Sequence, residues 1–314
     1  MILKTNVPLK KYSHIRIGGP ATLFSEFKSE EELIEILKHW REENGELDNV
    51  LVLGDGTNIL FSDRGFSGLV IKNSIDFIKK EKDCIEVGAG TKVSRLVEYY
   101  IGNSLSGFEW AGGLPGTVGG AVRGNAGAFG GETKDILISA RCINIKSLKK
   151  TTLTNNKCNF SYRNSFFKSN AGKDEIILSV RFSFKKGDAD TIRLLTQEKI
   201  DYRIEKHPLD YPNLGSIFKN VPVENVSKRV LSEFGKNIKK DPFPVIPAVK
   251  FLVGSGLKGK TIGGAKVSEK HPNYIVNDKN AKAKDVLSLI KQVKEKVKEK
   301  YKVVLDEEIT IVGN

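Results

Sequence analysis

The chain is poor in the residues that build metal centres and disulfide frameworks, with 3 cysteines and 4 histidines among 314 residues. Cys84, Cys142 and Cys158 form no CxxC pair, and His14, His39, His207 and His271 lack ligand spacing, so no structural metal and no disulfide scaffold is expected. An odd number of thiols, with no export signal, fits a reducing compartment, and a cytoplasmic protein is expected. Long hydrophobic runs are missing as well. The longest, NVLVLG at 49–54 and YIVN at 274–277, fall far short of the roughly 20 residues that cross a bilayer, which argues against a membrane partner.

Positive charge, by contrast, is plentiful: 51 Lys and Arg against 38 Asp and Glu, a net charge of +13. The densest run, KQVKEKVKEKYK at 291–302, alternates Lys with Glu, which is the pattern of a solvated helix face rather than of a nucleic-acid footprint. Aromatic residues do not interleave with the basic runs as stacking platforms would, so nucleic acid is not expected as a partner. A phosphorylated small molecule suits the same charge.

Hydrophobic spacing organises the chain. SEEELIEILKHWREENG opens with Ser29 and Glu32 in capping-box positions, puts Leu33, Ile36, Leu37 and Trp40 on one face and stops at Gly45, which predicts a helix. NVLVLG and GLVIKN read as strands on either side of a turn, DGTNILFSD; CIEVGAG reads as a strand and VSRLVEYYIGN as a helix. ILISARCINI and EIILSVRFSF alternate like antiparallel strands. A composition break, KKGDAD at 185–190, precedes a helix ended by Pro208 and suggests a boundary. The expected fold class is α+β, with a domain over 1–187 (subdomains about 1–75 and 76–187) and a smaller one over 188–314. The latter ends in an amphipathic helix (Val286, Leu289, Ile290, Val293, Val297) and a strand, KVVLDEEITIVG.

One motif misleads. GSGLKGKT at 254–261 fits the phosphate-loop pattern GxxxxGK[ST], and VVLDEE at 303–308 mimics its acidic strand. That mechanism needs a helix starting at the Lys-Thr pair, so that backbone N–H groups and the helix dipole face the phosphates. IGGAKVSEKHPN, with its glycines, β-branched residues and proline, cannot continue one. An NTPase is not expected.

The denser signal is GLPGTVGGAVRGNAGAFGGE at 113–132. Isolated glycines mark tight turns, but Gly113, Gly116, Gly119, Gly120, Gly124, Gly127 and Gly130 together leave backbone amides open to an extended anionic ligand. A second turn, LGDGTN at 53–58, follows a strand and could cradle a pyrophosphate with Gly54, Gly56, Thr57 and Asn58. Two such turns suggest a dinucleotide. No GxGxxG opens a helix with an acidic residue about twenty residues on, so flavin dinucleotide on another fold fits better than a nicotinamide fingerprint.

With these segments in place the chain resembles the UDP-N-acetylenolpyruvoylglucosamine reductases (MurB) of peptidoglycan synthesis. The resemblance is carried by IRIGGPA at 15–21, LGDGTNIL at 53–60, the glycine stretch, YRNSFFK at 162–168, RIEKHP at 203–208, NLGSIFKN at 213–220, GLKGKTIGGAKVSEKHPNYIVN at 256–277 and LDEEI at 305–309, in that order. It implies an FAD-binding domain of the vanillyl-alcohol-oxidase (PCMH) type followed by a substrate domain, the last strand returning to the flavin site. It also implies non-covalent FAD, NADPH as co-substrate, and UDP-N-acetylglucosamine enolpyruvate reduced to UDP-N-acetylmuramate by hydride from flavin N5 to C3 and a proton to C2. The segment between YRNS and EIILSVRF is short, resembling the branch without an inserted tyrosine loop.

Residue by residue, the resemblance makes Arg163 the clamp on the substrate carboxylate and Glu308 a neutral hydrogen-bond donor, with Glu307 the neighbour it could be confused with. It makes Ser216 the proton donor to C2, although a serine after glycine is ordinarily a turn or cap residue. Arg203, Lys206 and Asn220, the last closing the NLGSIFKN motif, become contacts for the sugar nucleotide or nicotinamide, although for Arg203 and Lys206 solvated helix charges would be the plainer reading. The implied FAD contacts are Gly54, Asp55, Gly56, Thr57 and Asn58 in the first turn. In the second stretch they are Gly113, Pro115, Gly116, Thr117, Gly119, Gly120, Asn125, Gly127 and Ala128. A monomer is expected. A flavin oxidase is the nearest competitor, but those often attach FAD through histidine, and no histidine here lies in a glycine-rich turn.

Overall fold

The computed structural model describes residues 2–45, 47, 49–241 and 243–313. Local signals act as the sequence predicts. Ser29 Oγ accepts the N–H of Glu32 at 3.2 Å to start the helix Glu30–Asn44, and Gly45, at φ +77°, ends it by donating to the Arg41 carbonyl. Leu33, Ile36, Leu37 and Trp40 are its buried face. The acidic first turn and the serine cap satisfy the orphan N–H groups of the helix and complement its dipole.

The chain divides into two compact units. The first comprises Met1–Val7, Ala21–Asp55 and Ser67–Arg203, the second Pro8–Pro20, Gly56–Phe66 and Ile204–Asn314. This is not the division expected at 187/188. The helix Ala189–Lys206 does begin there, but as far as Arg203 it belongs with the first unit. Arg203 Nε donates to the Gly112 carbonyl at 2.8 Å, and the Thr196 carbonyl lies where a Cβ at Gly112 would go. Two short N-terminal segments in turn join the second unit through remote partners. Ile59–Phe61 pairs in parallel with Thr310–Val312, and Asn277 Nδ2 donates to the Ile15 carbonyl at 2.9 Å.

In the first unit a five-stranded antiparallel sheet runs in the order Lys150–Thr154, Leu137–Asn144, Glu175–Phe182, Ile85–Gly88, Ile78–Lys80. A four-stranded sheet orders Lys4–Pro8, Pro20–Phe27, Phe66–Asn73, Val50–Leu53, the last two parallel. Two apolar cores fill this unit. One gathers Phe27, the helix face around Leu33 and Trp40, Leu69 and Ile71, together with Ile143 and Leu178. The other gathers Val87, Leu96, Tyr100, Phe108, Val122, Ala140 and Phe182.

The second unit packs the helix Ala283–Tyr301 against a three-stranded sheet, Thr261–Ile262, Ala265–Val267, Ile275–Asn277. Val286, Leu289, Ile290, Val293 and Val297 are the buried positions of that helix, and Ile15, Ile17 and Leu60 share its core. The Lys-Thr of the phosphate-loop look-alike opens a β-hairpin, not a helix. The strand expected across 302–313 forms only at Thr310–Val312. Lys302 ends the long helix in a left-handed conformation, and residues 306–308 then strap across 217–219: Lys219 N–H donates to Asp306 O at 2.9 Å and Glu308 N–H to Ile217 O at 2.7 Å. Sheets that are largely antiparallel, with two parallel pairings, combine with helices to make the fold α+β. Among the described residues no helix is long and apolar enough to cross a membrane, and no group of three His, Cys, Asp or Glu could hold a metal ion.

Candidate active site

In the first unit the glycine stretch wraps a seven-residue helix, Val118–Gly124, whose N-cap is Thr117. Gly119 N–H donates to the Ala89 carbonyl at 2.8 Å, and a Cβ at Gly119 would lie 2.9 Å from the Ala89 Cβ. A Cβ at Gly54 would come within 2.6 Å of Thr117 Oγ1, so Gly54 and the glycine stretch lie against each other here. Gly116, at φ +107°, supplies a backbone conformation that other residues rarely adopt. Asn125 caps the helix in a left-handed conformation and is fully buried; its amide donates to the Ser161 carbonyl and accepts from the Lys134 N–H. Its side chain thus serves the scaffold. Pro115 is exposed at the mouth of the stretch and Ala128 half-buried.

Arg163 stands beside this stretch. Its Nη2 donates to the Gly127 carbonyl at 2.8 Å, its guanidinium lies 5.1 Å from the Tyr162 ring, and Lys168 Nζ holds its carbonyl at 2.8 Å. A φ of +55° turns the backbone sharply at this residue, a conformation uncommon for arginine and stabilised here by those contacts. A side chain on Gly127 would meet Glu132 Cγ at 2.7 Å and Arg163 Nη1 at 3.3 Å, so glycine there keeps the arginine in place.

Arg203 is only 8% exposed, not the solvated charge that the helix pattern suggests. Its guanidinium lies 5.1 Å from the ring of Phe129, which Lys199 Nζ approaches at 5.5 Å and Tyr202 meets edge-on at 5.3 Å. Phe129 remains 41% exposed, a flat apolar surface beside two cations. Sequence reasoning passed over Phe129 and Tyr202. The signal available was a lone aromatic inside GAFGG, where every neighbour is small.

The second unit brings together three segments far apart in sequence. Asn58 Nδ2 donates to the Glu308 carbonyl at 3.0 Å, and Thr310 N–H donates to the Asn58 carbonyl at 2.9 Å. Glu308 N–H donates to Ile217 O, the residue after Ser216. Gly56, at φ +67°, passes so close to Tyr12 that a Cβ would sit 1.9 Å from its carbonyl oxygen. Gly215, at φ +76°, precedes Ser216, its N–H donated to Asn213 Oδ1 at 2.9 Å in an Asx turn. Glu307 is paired with Lys294 of the long helix at 2.8 Å. Asn220 Oδ1 accepts the Ala248 N–H at the start of the helix Ala248–Gly254, which gives this residue a structural task. Lys206 is half-exposed and paired with its neighbour Glu205.

Residues 207–312 match the family described as the C-terminal domain of UDP-N-acetylenolpyruvoylglucosamine reductase, and residues 21–147 match an FAD binding domain. The chain is 37% identical to the UDP-N-acetylenolpyruvoylglucosamine reductase of Caldanaerobacter subterraneus subsp. tengcongensis, over 99% of its own length and 94% of that protein. To the enzyme of the same name from Latilactobacillus sakei it is 39% identical, over 99% and 93%. The chain belongs to the UDP-N-acetylenolpyruvoylglucosamine reductase family. A crystal structure of the Thermus caldophilus member superposes over 100% of both chains, with a TM-score of 0.78 at 28% identity.

The residues present fit the family's FAD. Gly120 is exposed, and a Cβ there would meet only Thr117 Oγ1, at an ordinary 3.5 Å. Nothing in the chain's own packing calls for glycine at this helical position, where it costs about 1 kcal/mol relative to alanine. Close approach of a bound ligand would account for it. The Cβ-free cradle of Gly54, Gly119 and Gly120 around Thr117 is where a pyrophosphate would be held.

Proposed function

We propose that this protein reduces UDP-N-acetylglucosamine enolpyruvate to UDP-N-acetylmuramate with NADPH, in the cytoplasm and as a monomer, independently of nucleic acid and of membranes. When bound, FAD supplies a two-electron carrier between NADPH and the enolpyruvyl group. Reduction puts a hydride on C3 and a proton on C2. Ser216 Oγ is the donor of that proton. Arg163 and Glu308 stabilise the charge that develops on the substrate carboxylate, the arginine as a planar fork and the glutamate as a hydrogen-bond donor. Gly54–Asn58 and Gly113–Ala128 hold the dinucleotide, with Asn125 acting from behind as scaffold. Arg203, Lys206 and Asn220 serve the sugar nucleotide or the nicotinamide, Arg203 by fixing the Phe129 surface.

The observation that carries this reading is the series of hydrogen bonds that joins the Asn58 turn, Glu308 and the residue after Ser216 within one unit. A cofactor turn and two acid–base groups, remote in sequence, are thereby held on one scaffold, as a redox reaction with a coupled proton transfer requires.

The test is the visible spectrum of the purified protein under anaerobic conditions. A flavin band should bleach on adding NADPH and return on adding the enolpyruvyl sugar nucleotide. Absence of a flavin band even with FAD supplied, or its return without the sugar nucleotide, would sink the reading. Ser216→Ala should leave bleaching intact and slow the return roughly 100-fold or more. Glu308→Gln, and not Glu307→Gln, should impair turnover.

A further inference from the structure

Ile217 and Phe218 follow Ser216 directly, and every main-chain polar group of these two residues has a partner in the second unit. Ile217 donates to the carbonyl of Asn273 at 2.8 Å and accepts from the N–H of Glu308 at 2.7 Å. Phe218 is bound by a side chain. Its N–H donates to Asn273 Oδ1 at 3.0 Å, and its carbonyl accepts from Asn273 Nδ2 at 2.9 Å. One asparagine thus makes three hydrogen bonds to two consecutive residues, as a neighbouring strand would, in addition to the strap of 306–308.

Asn273 is only 4% exposed. A buried primary amide is costly unless fully bonded, and its persistence there calls for a task beyond filling space. The task follows from its chemistry. An amide offers one acceptor and one donor side by side, matching the N–H and C=O of a single residue; a carboxylate lacks the donor, and a hydroxyl is too short to serve both. On the other flank of Ser216, Gly215 is tied to Asn213, whose own carbon chain reaches back over Tyr211 through its Nδ2. Ser216 is therefore a hydroxyl on a backbone fixed before and after, with the Asn273 amide supplying the clamp after it.

We propose that Asn273 is a positioning residue for proton delivery: its amide fixes the backbone that aims Ser216 Oγ at the carbon to be protonated. This rests on the reading of Ser216 as the proton donor. A hydroxyl is a weak acid, so its contribution depends on alignment, and a displacement of about 1 Å can cost roughly 100-fold in rate.

The experiment compares Ser216→Ala, Asn273→Asp and the double variant, as holoenzymes, in anaerobic stopped flow. Flavin reduction by NADPH and its reoxidation by saturating enolpyruvyl sugar nucleotide are followed separately, in H2O and D2O. Asn273→Asp should reduce at the wild-type rate, reoxidise 10- to 100-fold more slowly and show a raised solvent isotope effect on reoxidation. The double variant should be no slower than Ser216→Ala, because the two residues act through one hydroxyl. Should Asn273→Asp fail to fold, Asn273→Gln, which keeps both amide groups but moves them by one bond, carries the same comparison.

The outcomes separate cleanly. Wild-type reoxidation in Ser216→Ala would remove the donor assignment, and the positioning role with it. A slow Ser216→Ala beside an Asn273 variant of wild-type speed would overturn the positioning role alone. So would equal slowing of both half-reactions, or a double variant whose loss is the product of the single losses, since either marks a general structural defect.

Discussion

Two glycine-rich stretches, 113–132 and 254–264, look alike in composition and differ in why the glycines are there. In the second, the chain itself supplies the reason at most positions. A Cβ at Gly254 would strike the Tyr301 hydroxyl at 2.1 Å, at Gly263 the Asp285 carboxylate at 2.4 Å, and at Gly264 the Lys279 carbonyl at 2.3 Å. Gly256 and Gly259 carry positive φ. This stretch is glycine-rich because it packs against the long helix at both ends, Gly254 against Tyr301 and Gly263 against Asp285. In the first stretch Gly119, Gly127 and Gly131 have comparable internal reasons, whereas Gly120 and Gly124 have neither a positive φ nor a close neighbour. A glycine count therefore reports close approach without saying to what. A glycine whose Cβ would strike the chain itself is explained by packing; only one whose Cβ would meet nothing close is left open to a ligand.

The comparison breaks most visibly at Gly264. Gly264→Ala should destabilise the second unit by about 2–4 kcal/mol, because the obstacle is main chain and cannot rotate away. Urea unfolding would measure the loss, and FAD affinity of the folded protein should stay unchanged; a stable variant would mean that the hairpin yields.

The turn that follows the same hairpin carries a pH dependence of similar size. His271 packs against His207 and Tyr274, with ring centroids 5.4 and 4.9 Å away, and burial, helped by the Lys239 charge, lowers its pKa to about 4. The unfolded chain, with an ordinary value near 6.5, then binds the extra proton between those limits, so stability is present above about 6.5 and is lost as the pH falls toward 4. The loss should reach up to about 3 kcal/mol, and His271→Phe should flatten the profile in this window. Unchanged pH dependence in that variant would place the titration elsewhere.

These differences also mark how far the sequence could be read. Periodic faces such as Leu33, Ile36, Leu37 and Trp40, or Val286 to Val297, are local, and each formed where its spacing placed it. The rejection of a phosphate loop at 254–261 was local as well, since it rested on the residues immediately following. The division into units was not legible, because segments 8–20 and 56–66 are recruited by partners such as Asn277 and Thr310 that no neighbouring residue announces. The burial of Arg203 was hidden for a related reason. Its helix shows little apolar periodicity, and only the Gly112–Gly113 turn packed on it reveals which face is inside. The roles proposed for Ser216, Arg163 and Glu308 come from family resemblance, not from pattern, and the role proposed for Asn273 comes from neither, although Asn273 lies within a matched segment. A residue that works by bonding to another residue's main chain leaves no mark of its own in the sequence.

The finest test lies within one helix. Gly120 and Gly124 both belong to Val118–Gly124, and alanine at either should raise the stability of the FAD-free protein by a few tenths to about 1 kcal/mol, with less gain at Gly124 because it is the last helical residue. Only Gly120 belongs to the Cβ-free cradle with Gly54 and Gly119, so only Gly120→Ala should weaken FAD, by about 10-fold or more, equivalent to roughly 1.4 kcal/mol. Urea midpoints of the apoproteins and a fluorescence titration with FAD measure the two effects on the same samples. Stability gained with FAD binding lost at position 120, and stability gained with FAD binding kept at 124, would assign the exposed face of this helix to the dinucleotide. Equal FAD affinity in both variants would return Gly120 to the class of glycines without a ligand, and the cradle would then have to lie nearer Gly54 and Gly116.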